Sequence, residues 1–113
     1  MTLREALDAA AAGQIGIEVR QEGGRTEWLA AGQVFAALDG DTAEYRLDPA
    51  VARAALGTPD TATLPRGPEW VAFRPPVLDQ MAVDRATAWF ASAARRAGSQ
   101  RDEGRAPRPE APP

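Results

Sequence analysis

The stretch IGIEVRQEGGRTEWLAAGQVFAALDGDTAEYRL, residues 15–47, sets the architecture of the chain. Three turn signals interrupt it: Glu-Gly-Gly, Ala-Gly and an Asp-Gly-Asp sequence typical of a tight hairpin. Between these turns, apolar and polar residues alternate as they do in strands with one buried face. The pattern predicts a meander of four strands, at 15–20, 25–30, 33–38 and 43–47.

Helical patterns flank this meander. Thr2 and Glu5 have the spacing of a capping box, and Asp48 followed by Pro49 is typical of a helix start. Near the C-terminus, apolar residues recur at helical spacing after Asp79. The remaining predicted elements are a helix at 3–12, a helix at 49–56, a loop at 58–68, a strand at 69–74 and a helix at 80–97.

The predicted order is therefore α-β-β-β-β-α-β-α, which indicates an α+β two-layer sandwich. A mostly antiparallel sheet would carry the helices on one face. Residues 1–97 are expected to form a single domain, since this length suffices for one core. Residues 98–113 are rich in proline and lack an apolar period, and we expect them to form a disordered tail.

Composition excludes much familiar chemistry. The chain contains no histidine, cysteine or lysine, so Ser-His-Asp triads, Cys-His dyads, Schiff bases and the usual zinc sites are ruled out. No catalytic motif is recognisable; we expect no enzymatic activity, no cofactor and no bound metal. The net charge of −3 disfavours binding to a phosphate backbone. With no signal peptide pattern and no membrane-spanning stretch, a cytoplasmic location is predicted.

One face of the predicted sheet is a candidate binding surface. Strand alternation predicts that two tryptophans, three arginines and two glutamates point away from the core. Such a face could stack and hold a planar or anionic ligand, or it could be a solvated ladder of Glu–Arg pairs with tryptophans packed on arginine stems. The residues predicted on this face are Trp28, Arg46, Trp70 and Arg74, with Glu18, Arg20 and Glu44.

The loop at 58–68 is the second candidate region. Eleven residues is long for a connection in a small domain, and long loops are often functional. Arg66 and several threonines of this loop could line a pocket above the sheet. The alternative is a proline-stiffened crossover between a helix and a strand.

Two of the predicted strands carry a family resemblance, through Gly32, Val34, Phe35, Ala36 and Leu38 in one strand and Trp70, Val71 and Phe73 in the other. With these residues the chain resembles the MmcQ/YjbR-like family, and more weakly the small luciferase-family domain. The resemblance covers residues 25–96. It implies a double-wing architecture that is associated with DNA binding, and no catalytic residue can be carried over from it.

Together these observations predict a small non-enzymatic binding domain. It would engage a protein or a small-molecule ligand through the outer sheet face and the 58–68 loop, by way of Trp28, Arg46, Arg66, Trp70 and Arg74. The alternative, implied by the resemblance, is nucleic-acid binding. No membrane association is expected, and the chain would be a monomer or, through its alanine-rich last helix, a homodimer.

Overall fold

The structure is a computed structural model that describes the backbone of residues 1–105 and the side chains of residues 1–99. It contains three helices and six strands, which follow one another as an α-β-β-β-β-α-β-β-α sequence. The helices are α1 (Leu3–Ala12), α2 (Pro49–Ala55) and α3 (Gln80–Arg105); the strands are β1 (Ile17–Glu22), β2 (Arg25–Ala30), β3 (Gln33–Asp39), β4 (Thr42–Arg46), β5 (Thr61–Leu64) and β6 (Gly67–Phe73).

The six strands form one antiparallel sheet in the order β1-β2-β3-β4-β6-β5. The first four strands are the predicted meander, and the α+β sandwich is confirmed. The predicted order lacked one strand, because β5 lies within the segment predicted as a loop. This strand has only four residues and forms a hairpin with β6, so its pairing depends on a neighbour that its own sequence does not reveal.

The core lies between the sheet and the helices, and aromatic rings fill its centre. Phe90 of α3 meets the rings of Trp28 and Phe35 edge to face, with centroids 5.6 and 5.1 Å apart. Trp89 of the same helix meets Tyr45 and Phe73 in the same manner. Such edge-to-face pairs are favourable because the positive ring edge meets the negative ring face. One helix therefore closes the core over four strands.

Helix α1 begins with the predicted capping box: the Thr2 hydroxyl accepts a hydrogen bond from the Glu5 amide, and the Glu5 carboxylate accepts one from the Thr2 amide. The helix packs against α3. Residues at its start share a cleft of about 700 Å³ with Leu78, just before α3. Gln14 and Ile15, after its end, share another cleft with Arg95 and Gly98 of α3. The two helices therefore run in the same direction.

The last helix is longer than predicted. It continues through Gly98 and ends at Arg105, so the helix boundary predicted at Gly98 is wrong. A glycine inside a helix costs only about 1 kcal/mol relative to alanine, which a long packed helix tolerates. The rest of the predicted tail, 106–113, lies outside the described residues.

Candidate functional site

The outer face of the sheet, which points away from the core, carries a row of residues that crosses all six strands. The pairing registers place these six positions side by side. Two of the three alanines in the row flank Glu44, so long side chains from neighbouring positions can lie over them and reach its carboxylate. The row consists of Arg20, Glu27, Ala37, Glu44, Ala72 and Ala62.

Ion pairs join this row to residues beside it. The Glu44 carboxylate oxygen Oε1 accepts hydrogen bonds from Arg25 Nη2 at 3.0 Å and from Arg66 Nη1 at 3.1 Å. Glu27 accepts from Arg20 Nη2 at 2.7 Å and from Arg25 Nε at 3.1 Å. Arg25 thus bridges the two glutamates. We refer to Arg20, Arg25, Glu27, Glu44, Arg66 and Trp70 as the outer-face cluster.

Trp70 enters this cluster through Arg66. The Arg66 guanidinium carbon lies 3.9 Å from the centre of the indole ring, which is the geometry of a cation–π contact. Trp70 retains only 8 % of its accessible surface, whereas the Arg66 side chain retains 37 %. The guanidinium therefore covers one face of the indole, and solvent contacts the outer side of the guanidinium.

The ion pairs stabilise the charged forms of their members. Hydrogen bonds from Arg20 and then Arg25 lower the pKa of Glu27 against the opposing effect of burial. The hydrogen bond to Glu44 raises the pKa of Arg25, with a further contribution from Glu27. The cluster brings three guanidinium groups to two carboxylates, and every one of its charges has a partner of opposite sign.

The prediction that Trp28 lies on the outer face is wrong. Trp28 is fully buried on the helix side of the sheet, where it pairs with Ala36 across β2 and β3 and contacts Phe90. In β2 it is Arg25 and Glu27 that face outward. Trp28 therefore belongs to the core and cannot contact a partner.

The other two predicted arginines take no part in the ion pairs of the cluster. Arg46, at the end of β4, donates from Nε to Glu69 at 2.7 Å, and Arg96 of α3 donates to the same carboxylate oxygen at 3.3 Å. These hydrogen bonds, that of Arg46 foremost, lower the pKa of Glu69. Arg74 is exposed and lines the cleft of about 700 Å³ together with Asp41 and Asp60. Of the five predicted site residues, Arg66 and Trp70 are stacked, and Arg46 is the cross-strand partner of Trp70.

Much of the segment predicted as a loop has a structural role. The hydroxyls of Thr58 and Thr61 lie within hydrogen-bonding distance of the Ala55 carbonyl oxygen, at 2.7 and 3.2 Å, and so satisfy the C-terminal end of α2. Asp60 has a φ of 67° and accepts a backbone hydrogen bond from Arg74 through its carbonyl oxygen. Only Arg66 of this segment reaches the outer-face cluster.

Two members of the cluster, Arg25 and Glu27, were not among the residues predicted on the outer face. The sequence contains the pattern that identifies them, because both are charged and stand two positions apart in β2, which places them on one face. The large apolar surface of Trp28, between Glu27 and Leu29, should have indicated that this tryptophan faces the opposite way.

No protein-family model matches the chain, and no curated protein or solved structure matches it significantly. The resemblance to MmcQ/YjbR-like proteins therefore stays a prediction. Among the described residues, acidic side chains do not gather in groups of three or more that could hold a metal ion. Within the same part of the chain, no helix is long and apolar enough to cross a membrane.

Proposed function

We propose that this protein is a non-catalytic binding domain and that its outer-face cluster binds a protein partner. The observation that carries the proposal is the Arg66–Trp70 stack, a partly exposed guanidinium above a nearly buried indole. Tryptophan and arginine are the residues most enriched among those that dominate the binding energy of protein interfaces. Their pairing on an uncovered sheet face supports a role as an anchor.

The cluster is also ordered before any partner arrives. Glu44 holds Arg66 in place over Trp70 through a hydrogen bond of 3.1 Å, so binding would immobilise few additional side-chain rotamers. One terminal nitrogen of Arg66 is engaged by Glu44, and the remaining donors of its guanidinium stay available. A partner that presents a carboxylate beside an aromatic ring would satisfy both the donors and the outer guanidinium face.

Nucleic acid remains the alternative function that the resemblance implies. The charge arrangement favours a protein partner over it. Binding to a phosphate backbone draws on several uncompensated basic residues, whereas each arginine of the cluster is paired with a carboxylate and the net charge of the chain is −3.

The test is affinity capture with the full chain as bait, quantified for the native protein, Arg66→Ala, Trp70→Ala and the control Arg53→Ala. Arg53 is an exposed arginine of α2, on another part of the molecule. We expect the same partners with the native protein and with Arg53→Ala, and a loss of at least about tenfold with either cluster variant. Thermal melts establish that all four proteins are folded.

Unchanged capture by both Arg66→Ala and Trp70→Ala would contradict the proposal. A parallel titration with mixed-sequence duplex DNA addresses the alternative. DNA binding that weakens steeply with salt and disappears in Arg66→Ala would favour a nucleic-acid interface at the same face.

A further inference from the structure

The two edges of the sheet differ in how well they are protected against pairing with another strand. Edge strand β5 has four residues, stands between Pro59 and Pro65, and has an irregular register with its neighbour at Thr63/Leu64. Shortness, proline and bulges are devices that prevent edge pairing. Edge strand β1 lacks all three: it has six residues, contains no proline and pairs with β2 in one unbroken register.

Exposed apolar side chains lie on and next to edge strand β1. Val19, in the middle of β1, keeps 54 % of its accessible surface although its cross-strand partner Trp28 is fully buried. Ile15, two residues before the strand, is fully exposed. A regular edge strand with an exposed β-branched residue at its centre is a template for a further strand.

The charges along β1 indicate which strand fits. Glu18 and Arg20 point to the outer face on either side of Val19, since their partners in β2 are Leu29 and Glu27. If a second copy of β1 runs antiparallel with Val19 opposite its own equivalent, each Glu18 faces Arg20 of the other copy. Opposite charges directly across a strand pair are favourable, and like charges are unfavourable.

Neighbouring registers lack this match. A symmetric pairing centred on Arg20 sets the two copies of Arg20 opposite each other and Glu18 opposite Glu22. A pairing centred on Glu18 sets two glutamates opposite each other. A pairing centred between two residues places the helix layers of the two copies on opposite faces, because side chains alternate. Among the registers that keep both helix layers on one face and pair at least five residues of β1, only the Val19 register lacks a like-charge contact.

We propose that β1 is a self-association edge, at which two copies of this chain pair antiparallel about Val19 to form one continuous sheet. This interface shares Arg20 with the outer-face cluster but not the Arg66–Trp70 anchor, and it does not rest on the proposed function. A single strand pair buries little area, so we expect a weak dimer with a dissociation constant in roughly the micromolar range.

The register predicts a charge-swap experiment. Glu18→Arg alone places two arginines opposite each other at both ends of the homodimer contact, and Arg20→Glu alone does the same with two glutamates. Mixed in equal amounts, the two variants form a heterodimer in which both contacts are again of opposite sign. We expect each variant alone to associate about tenfold more weakly than the native chain, and the mixture to recover most of that loss.

Sedimentation equilibrium on the full chain, from about 10 µM to about 1 mM, measures these constants in the range expected for a small interface. Ala62→Arg, on the opposite edge strand β5, is the matched control and should associate like the native chain. The proposal is wrong if the native chain is monomeric across this range. It is equally wrong if the chain dimerises but Glu18→Arg leaves the constant unchanged, or if the mixture recovers nothing although both variants melt as folded proteins.

Discussion

The two faces of the sheet each cover a tryptophan, and they do so with different chemistry. On the helix side, Trp28 lies under the ring of Phe90, and the contact buries apolar surface on both partners. On the outer side, Trp70 lies under the guanidinium of Arg66, which is held by Glu44. Phe90 is part of the core and cannot move away from Trp28 without unfolding the domain. Arg66 is a polar side chain at the surface and can move away from Trp70.

This difference separates stability from recognition. Removing an aromatic ring from the core leaves a cavity lined by other rings, and the protein loses both transfer free energy and packing. Removing a partly exposed guanidinium lets water approach the indole, and the protein loses a contact that water partly replaces. A face closed by charged side chains can therefore serve as a binding surface, which a face closed by a helix cannot.

The largest expected effect is that of Phe90→Ala, because Phe90 contacts both Trp28 and Phe35. We expect a loss of about 3–5 kcal/mol in the free energy of unfolding, measured by urea denaturation. The matched outer-face change, Trp70→Ala, should cost roughly 2 kcal/mol, since its surface is covered by a side chain instead of a helix. Equal losses at the two positions would remove the distinction between the faces.

A smaller effect is expected for Glu44→Gln, which keeps the shape of the side chain and removes its charge. Glu44 is nearly buried and accepts hydrogen bonds from both Arg25 and Arg66, so the change leaves two guanidinium groups without their common carboxylate. We expect a loss of about 1–2 kcal/mol, measured by urea denaturation. Glu18→Gln, at an exposed position of β1, is the control and should change stability by less than about 0.5 kcal/mol. If Glu44→Gln lowers the free energy of unfolding no more than Glu18→Gln does, the hydrogen bonds to Glu44 do not contribute to the stability of the fold.

The smallest expected effect is the pH dependence of stability. One contact that contributes to it is at Glu69, which accepts hydrogen bonds from Arg46 of β4 and Arg96 of α3. The pKa values of Glu27 and Glu69 lie below their ordinary value of 4.5, because arginines donate hydrogen bonds to both carboxylates. Groups with a lowered folded pKa stabilise fully above the unfolded pKa and lose that contribution as pH falls through the folded pKa. Stability should therefore decline below about pH 4.5, as these carboxylates become protonated.

Glu69→Gln tests this dependence. Its unfolding free energy should be lower than that of the native chain at pH 7, and the difference should shrink towards pH 3, where native Glu69 is also becoming neutral. Urea midpoints at the two pH values measure this convergence. A constant difference between the two proteins would mean that Arg46 and Arg96 do not stabilise the ionised Glu69.

Local sequence patterns predict the strands of this fold well where alternation is regular. Val71 and Phe73 are both apolar and stand two apart, so they identify the buried face of β6 and place Trp70 outward. In β2 the charged residues Arg25 and Glu27 identify the outward face. Trp28 is adjacent to Glu27 and therefore faces the core, which is why its predicted outward placement was wrong.

Other features depend on contacts that no local pattern contains. The segment Thr61–Leu64 is a strand because β6 offers it an edge, and its short sequence between prolines is typical of a loop. The two arginines at Glu44 come from positions 19 and 22 residues away along the chain. Alternation predicts which face a residue occupies, but it does not predict which partners meet there.

The shared direction of α1 and α3 has an electrostatic consequence. The dipole of a helix leaves partial negative charge at its C-terminal end, which a nearby cation stabilises by about 0.3–1 kcal/mol. Helix α1 has no basic residue in its last turn. Arg95 of α3 lines the same cleft as Gln14 and Ile15, which directly follow that end. The neighbouring helix thus places a positive charge beside the cleft at which α1 ends, a charge that α1 lacks in its own last turn.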